Sequence, residues 1–224
     1  MEYACLAIFI IVSAIHLYGS YINNRKLRAW SKGFILIALL GWYCCSTSFV
    51  QWAVVAALFA SWLGDMLLIP RGIKWFTAGG ISFMLSHIFF VIAYCPNIIF
   101  QCIPVWTVVI AAAVYFIAVL FIFSALKPHL PKTMFFPMFF YLLVNGTMNC
   151  FAFYQFLSIP NAATAVTFAG AMLFFASDSI LFFVRFKKNT VWRNHFPVML
   201  TYIFAEFLIV WGIVMLSKMT DIIA

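Results

Sequence analysis

Val50–Ile69 reads VQWAVVAALFASWLGDMLLI, and the fold of the whole chain turns on whether this stretch is an element of its own. It is apolar over about 20 residues, the length a helix needs to cross a bilayer. It follows another apolar run, Gly33–Phe49, with only Ser46-Thr47-Ser48 and Gln51 to mark a turn between them. A real turn there gives eight spans; its absence gives seven. The one charged residue in the stretch is Asp65.

Six further apolar runs lie outward from it: Tyr3–Tyr21, Trp75–Cys95, Pro104–Leu126, Thr133–Leu157, Ala162–Phe186 and His195–Ser217. The first follows Glu2 rather than a basic segment, so it reads as a retained span and not as a cleaved signal. Composition agrees. The 224 residues are 67% hydrophobic and 8% charged, against about a quarter charged in soluble domains. A chain this short cannot hide that much apolar surface in its own core. The expected fold is therefore an all-α membrane protein, a bundle of eight transmembrane helices forming one domain over residues 1–224. Cys5, Cys44, Cys45, Cys95, Cys102 and Cys150 show no metal spacing and no secreted framework, and are expected to be free, buried thiols.

Basic residues favour the eight-span count. Arg25, Lys26, Arg28 and Lys32 lie between spans one and two, Arg71 and Lys74 between three and four, and Lys127 and Lys132 between five and six. Arg185, Lys187, Lys188 and Arg193 lie between seven and eight. Eight spans put all of these on one side and only Lys218 on the other, whereas seven would scatter them. The positive-inside rule then makes the basic loops cytoplasmic and both termini extracytoplasmic, in a bacterial inner membrane or a eukaryotic endomembrane. The net charge of +8 is that basic rim and calls for no nucleic acid. Ala60-Ser61-Trp62-Leu63-Gly64-Asp65-Met66-Leu67-Leu68 is echoed by Phe175-Ala176-Ser177-Asp178-Ser179-Ile180-Leu181, which raises a four-plus-four parallel repeat.

A charge at bilayer depth costs several kcal/mol unless paired or hydrated. Asp65 and Asp178 sit near the basic ends of spans three and seven, at similar depth, on faces of small residues: Ser61, Gly64, Asp65 and Leu68 on one, Gly170, Phe174, Ser177, Asp178 and Leu181 on the other. They are the candidate catalytic pair. Lys32, His87, Tyr202, Glu206, Ser177 and Asn145 are the candidate substrate-binding or supporting residues. Plainer alternatives stand beside these readings: a structural pairing with Lys32 or an asparagine for the two aspartates, a snorkelling interface lysine for Lys32, a satisfied core histidine for His87, a protonated interhelical carboxyl for Glu206, and helix-to-helix hydrogen bonding for His16, Asn145 and Asn149. One neutral and one ionised carboxyl side by side are the elements of general acid and base catalysis. No metal and no cofactor is expected.

Gly64-Asp65-Met66-Leu67-Leu68, Gly79-x3-Phe83-x3-His87, Gly170-Ala171-x5-Ser177-Asp178-x2-Leu181, and Thr201-Tyr202 followed by Ala205 occur in this order. Together they make the chain resemble the YhhN-type lysoplasmalogenase family over nearly its whole length. It departs from that family at Gly33, often Pro, at Phe90, often Tyr, and at Glu206, often Gln. The resemblance implies hydrolysis of the vinyl ether bond of lysoplasmalogens to a fatty aldehyde and a glycerophosphoethanolamine or glycerophosphocholine. The implied partners are a lysophospholipid substrate and the bilayer. Such hydrolysis passes through an oxocarbenium ion, as glycoside hydrolysis does with two carboxyls. Asp65 and Asp178 would form the dyad; the deeper Asp178 is favoured as proton donor, although the sequence does not separate the two roles, and Lys32, at the rim, is the candidate for the substrate phosphate. The competing reading is a proton-coupled membrane transporter using the same carboxylates; a non-catalytic lipid-binding protein is a third. An intramembrane aspartyl protease fits poorly, because Asp65 follows Leu63-Gly64 and no Pro-Ala-Leu element is present.

Overall fold

The structure, a computed structural model, describes residues 1–187 and 196–223, with side chains to residue 219. Its helices are α1 (Glu2–Tyr21), α2 (Arg25–Ser46), α3 (Trp52–Leu67), α4 (Ile73–Tyr94), α5 (Val105–Leu126), α6 (Phe135–Ser158), α7 (Ala162–Phe186) and α8 (Phe196–Ile223). Among the described residues there is no strand. Of the residues read above as loop charges or span edges, Lys188, Arg193 and His195 lie outside the described residues.

The turn on which the count depends is present. α2 ends at Ser46, and the backbone N–H of Gln51 donates to the Tyr43 hydroxyl at 3.0 Å, which pins the chain reversal before α3. Seven of the eight helices are long and apolar enough to cross a membrane. The exception is α3, whose 16 residues make about 24 Å of helix, short of the ~30 Å hydrocarbon core. It ends at Leu67, so Asp65 lies in its last turn.

The largest boundary difference is in α2. Its helix begins at Arg25 rather than Gly33, so Arg25, Lys26, Arg28 and Lys32 belong to its first turns and not to a loop. A helix begins where a cap is available, not where charge ends. Asn24 supplies that cap, its Oδ1 accepting from the Leu27 N–H at 3.1 Å. At the start of α7, Asn161 and Thr164 form a reciprocal capping box, and the helix takes the expected bounds.

The cysteines also differ from expectation. All six are free, but only Cys150 is buried; Cys44, Cys45, Cys95 and Cys102 are exposed on the bundle. Burial in apolar surroundings does not require burial in protein, because lipid supplies them too. The same reasoning covers Val109, Ile110, Val114, Ile117 and Phe121, which leave much of α5 apolar and outward.

α7 packs most extensively on α8, α3 on α4, and α1 on α2. Close approach rests on glycines. A Cβ on Gly64 would sit 2.7 Å from the Phe83 ring and 3.2 Å from the Gly79 carbonyl oxygen. On Gly170 it would lie 2.7 Å from the Ile209 backbone nitrogen, and on Gly212 2.6 Å from the Ala163 carbonyl oxygen. Serine hydroxyls join these pairs: Ser82 donates to the Ala60 carbonyl at 2.7 Å, and Ser61 bonds Ser86 at 2.8 Å. In the α3–α4 turn, Gly72 has φ +131°, a backbone region that side-chain-bearing residues rarely adopt.

Gly212→Ala is expected to destabilise the protein by about 1–3 kcal/mol, because backbone of α7 cannot yield to the added methyl. Gly41→Ala, whose methyl would meet nothing closer than the Cys5 sulfur at 3.9 Å, should be neutral or gain the usual helix-propensity benefit of up to about 1 kcal/mol. Thermal unfolding of both variants in detergent separates the two cases, and equal melting points would sink the close-packing argument.

Candidate functional site

The basic end of the bundle holds a cavity of about 250 Å³, and both Asp65 and Asp178 line it. α3 and α7 bring these residues there on their small faces: Ser61, Gly64 and Asp65 are buried on α3, and Gly170, Phe174, Ser177 and Asp178 on α7. The two carboxyls have unlike partners.

Asp65 is ion-paired. Lys32 Nζ is 3.0 Å from its Oδ1, with the two side chains 14% and 2% exposed. The Tyr202 hydroxyl, from α8, donates to Oδ2 at 3.1 Å. Both carboxylate oxygens are therefore engaged. Close by, the Trp62 indole N–H donates to the Gly33 carbonyl at 2.9 Å and holds α3 against the helix that carries Lys32.

Asp178 is held by neutral donors from α6. The Tyr141 hydroxyl donates to Oδ2 at 2.6 Å, and the Asn145 amide donates to the same oxygen at 2.8 Å. Asn149 fixes the orientation of that amide, because its Nδ2 donates to Asn145 Oδ1 at 3.2 Å. Oδ1 of Asp178 has no hydrogen bond among the described residues. His87 Nε2 lies 3.6 Å from Asp178 Oδ2, beyond hydrogen-bond distance. Its ring packs edge-on against Tyr141 and Phe174, with centroids 5.5 and 4.8 Å apart.

Lys32, Asp65, Ser177, Asp178 and Tyr202 line the cavity, whereas His87, Asn145 and Glu206 stand behind it. Ser177 spends its hydroxyl on the Val198 carbonyl at 3.0 Å, which ties α7 to α8. Glu206 is fully buried, with Ser61 and Tyr202 beside it. His16 also lines the cavity and bonds the Ser31 hydroxyl through Nδ1 at 2.9 Å, joining α1 to α2. Tyr141 shares a helical face with Asn145 and Asn149, yet the sequence reading left it out of the site. The signal available was that face itself, one turn of helix apart at each step. Arg25, Arg28, Arg71 and Arg185 also line the cavity; in sequence they read only as topology charges.

A model of the YhhN family matches residues 27–213. No curated protein and no solved structure matches the chain.

The pairing of Lys32 with Asp65 generates a stability prediction. Removing one member of a buried pair costs about 3–5 kcal/mol, because the other is left uncompensated. Lys32→Met is expected to lower the melting temperature in detergent strongly, and Lys32→Met combined with Asp65→Asn should recover most of the loss. If the double variant is no more stable than Lys32→Met, the two residues are not coupled.

Proposed function

The chain belongs to the YhhN family, and we propose that it hydrolyses the vinyl ether bond of lysoplasmalogens, releasing a fatty aldehyde and a glycerophosphodiester. One observation carries this reading: two carboxyls on one cavity, Asp65 paired with a lysine and Asp178 held by neutral donors. An acid-catalysed vinyl ether hydrolysis needs that asymmetry. One carboxyl must begin protonated, and the other must begin ionised.

In the proposed sequence Asp178 gives the proton on Oδ1 to the alkene carbon remote from the ether oxygen. The double bond closes onto the ether as an oxocarbenium ion. Asp65, ionised beside Lys32, stabilises this cation and takes a proton from the water that adds to it. The product of that addition is a hemiacetal. Its collapse returns the Asp65 proton to the departing glycerol oxygen, while the hemiacetal hydroxyl proton goes back to Asp178. The aldehyde forms, and both carboxyls are reset. Tyr141 and Asn145 hold the carboxylate that Asp178 becomes in mid-cycle, when hydrogen bonds to it are strongest.

The hydrocarbon chain has a path as well. An apolar cleft of about 100 Å³ between α4 and α6, lined by Met84, Met138 and Phe140, shares Phe76 with the carboxyl cavity. Tyr141 also lines this cleft while bonding Asp178. Phe140 and Ile81 open it toward the outer surface of the bundle.

Purified protein is expected to release aldehyde from a lysoplasmalogen and nothing from its saturated ether analogue, which cannot form the oxocarbenium ion by protonation. Asp178→Asn should lower kcat by at least about 100-fold, the usual lower range for loss of a general acid. Asp65→Asn should act similarly, and Tyr141→Phe less. A folded Asp178→Asn protein that cleaves at the wild-type rate would remove the proton donor from this scheme.

A further inference from the structure

Lys32 is the obvious candidate for a substrate phosphate, but its ammonium is already engaged by Asp65 at 3.0 Å. The mouth of the cavity offers other cations. Arg25 and Arg28 come from the first turns of α2, Arg71 from the α3–α4 turn, and Arg185 from the last turn of α7. Three separate parts of the fold thus deliver arginines to one opening. Among the described residues none of the four pairs with a carboxylate. Arg28 Nη1 donates to Asn23 Oδ1 at 3.2 Å, and the Arg185 guanidinium lies over the Phe76 ring at 5.2 Å.

A positive-inside rim explains cations at this end of the bundle, but it does not distinguish arginine from lysine. The cavity largely does. Lys32 is the one described rim lysine that lines it, and it is held by Asp65; Lys26, Lys74, Lys127, Lys132 and Lys187 belong to the same rim and do not line it. Arginine is the residue whose planar fork binds phosphate oxygens in pairs. The placement of Arg25 and Arg28 also runs against the helix dipole of α2, which disfavours cations at a helix start by about 0.3–1 kcal/mol each. An anion seated there would reverse that cost.

We propose that Arg25, Arg28, Arg71 and Arg185 form the binding site for the phosphodiester of the lysolipid. The assignment rests on reading the carboxyl cavity as the site of vinyl ether hydrolysis. Depth is consistent with it. Arg185 follows Asp178 by two turns of α7, about 10 Å along the helix, and that separation suits a glycerophosphate with its phosphate at the mouth and its alkenyl ether at the carboxyls. Lys32 is then a positioning residue that keeps Asp65 ionised.

Two measurements test the site, one of them independent of hydrolysis. Glycerophosphoethanolamine, the polar product, is titrated into purified protein in detergent and thermal stabilisation is followed, with inorganic phosphate as a parallel arm. The diester is expected to stabilise the wild type at concentrations where inorganic phosphate does not. Arg25→Gln/Arg28→Gln and Arg71→Gln proteins, checked for helical content, should need at least tenfold more diester for the same effect. In aldehyde release the same variants should raise KM about tenfold or more with little change in kcat, and Arg185→Lys should fall between wild type and Arg185→Gln. Equal stabilisation by inorganic phosphate would overturn the lipid-headgroup assignment. Wild-type KM in all the arginine variants would overturn the site while leaving hydrolysis standing. Arginine-dependent diester binding without any aldehyde release would leave the site standing and sink the hydrolysis.

Discussion

The Lys32–Asp65 ion pair is the constraint around which the site end of the bundle is arranged. A carboxylate with 2% exposure in a chain that is 67% hydrophobic needs a cation, and the cation must come from another helix. α2 meets this need because it starts at Arg25 and carries Lys32 in its second turn, at the depth of the last turn of α3. The shortness of α3 belongs to the same arrangement. A longer α3 would carry its apolar end past the cavity, whereas termination at Leu67 leaves Asp65 beside the opening that Pro70 and Arg71 help to line.

Glycines set the distance at which this chemistry can be assembled. Gly64 precedes Asp65 and admits the Phe83 ring against the α3 backbone. Phe83 in turn packs edge-on against Tyr202 and Phe174, with centroids 5.8 and 6.4 Å away, and so bridges the helix of one carboxyl to the helix of the other. Gly170 and Gly212 do the equivalent for α7 and α8, which lets Tyr202 of α8 reach Asp65 of α3. Both carboxyls thus hang on helices packed at near-backbone contact, so a small displacement of one helix would be felt at both.

The helices were legible in the sequence because hydrophobic length is a strong local signal, and the loop charges resolved the one ambiguous turn at Ser46–Gln51. The start of α2 was not, because hydropathy reports where lipid begins rather than where Asn24 caps a helix. The faces on which Asp65 and Asp178 are buried followed from spacing alone. Their unlike partners did not, since nothing local to Asp178 indicates that Tyr141 and Asn145 of α6 will donate to one oxygen of it. Ser177, beside Asp178, lines the cavity as its position suggested; what spacing did not reveal is that its hydroxyl donates to the Val198 carbonyl of α8. The arginines were visible in sequence but their convergence was not, because it joins α2, the α3–α4 turn and α7, which are far apart in the chain.

Under the proposed chemistry this geometry also sorts the products. The reaction consumes one water and splits an amphiphile into a soluble diester and an aldehyde that prefers lipid. Water reaches the carboxyls through the same basic mouth that faces the headgroup, because the cleft on the other side is lined by Met84, Met138 and Phe140. The oxocarbenium ion would therefore form between a wet, positively charged opening and an apolar slot. The ion stays covalently joined to the headgroup on one side and to the chain on the other, so it is held between the two carboxylates, Asp65 and the Asp178 that has just given up its proton. After collapse the diester is left among arginines open to solvent and the aldehyde in a cleft open to lipid. The separation needs no gate, since each product already lies in the medium that dissolves it.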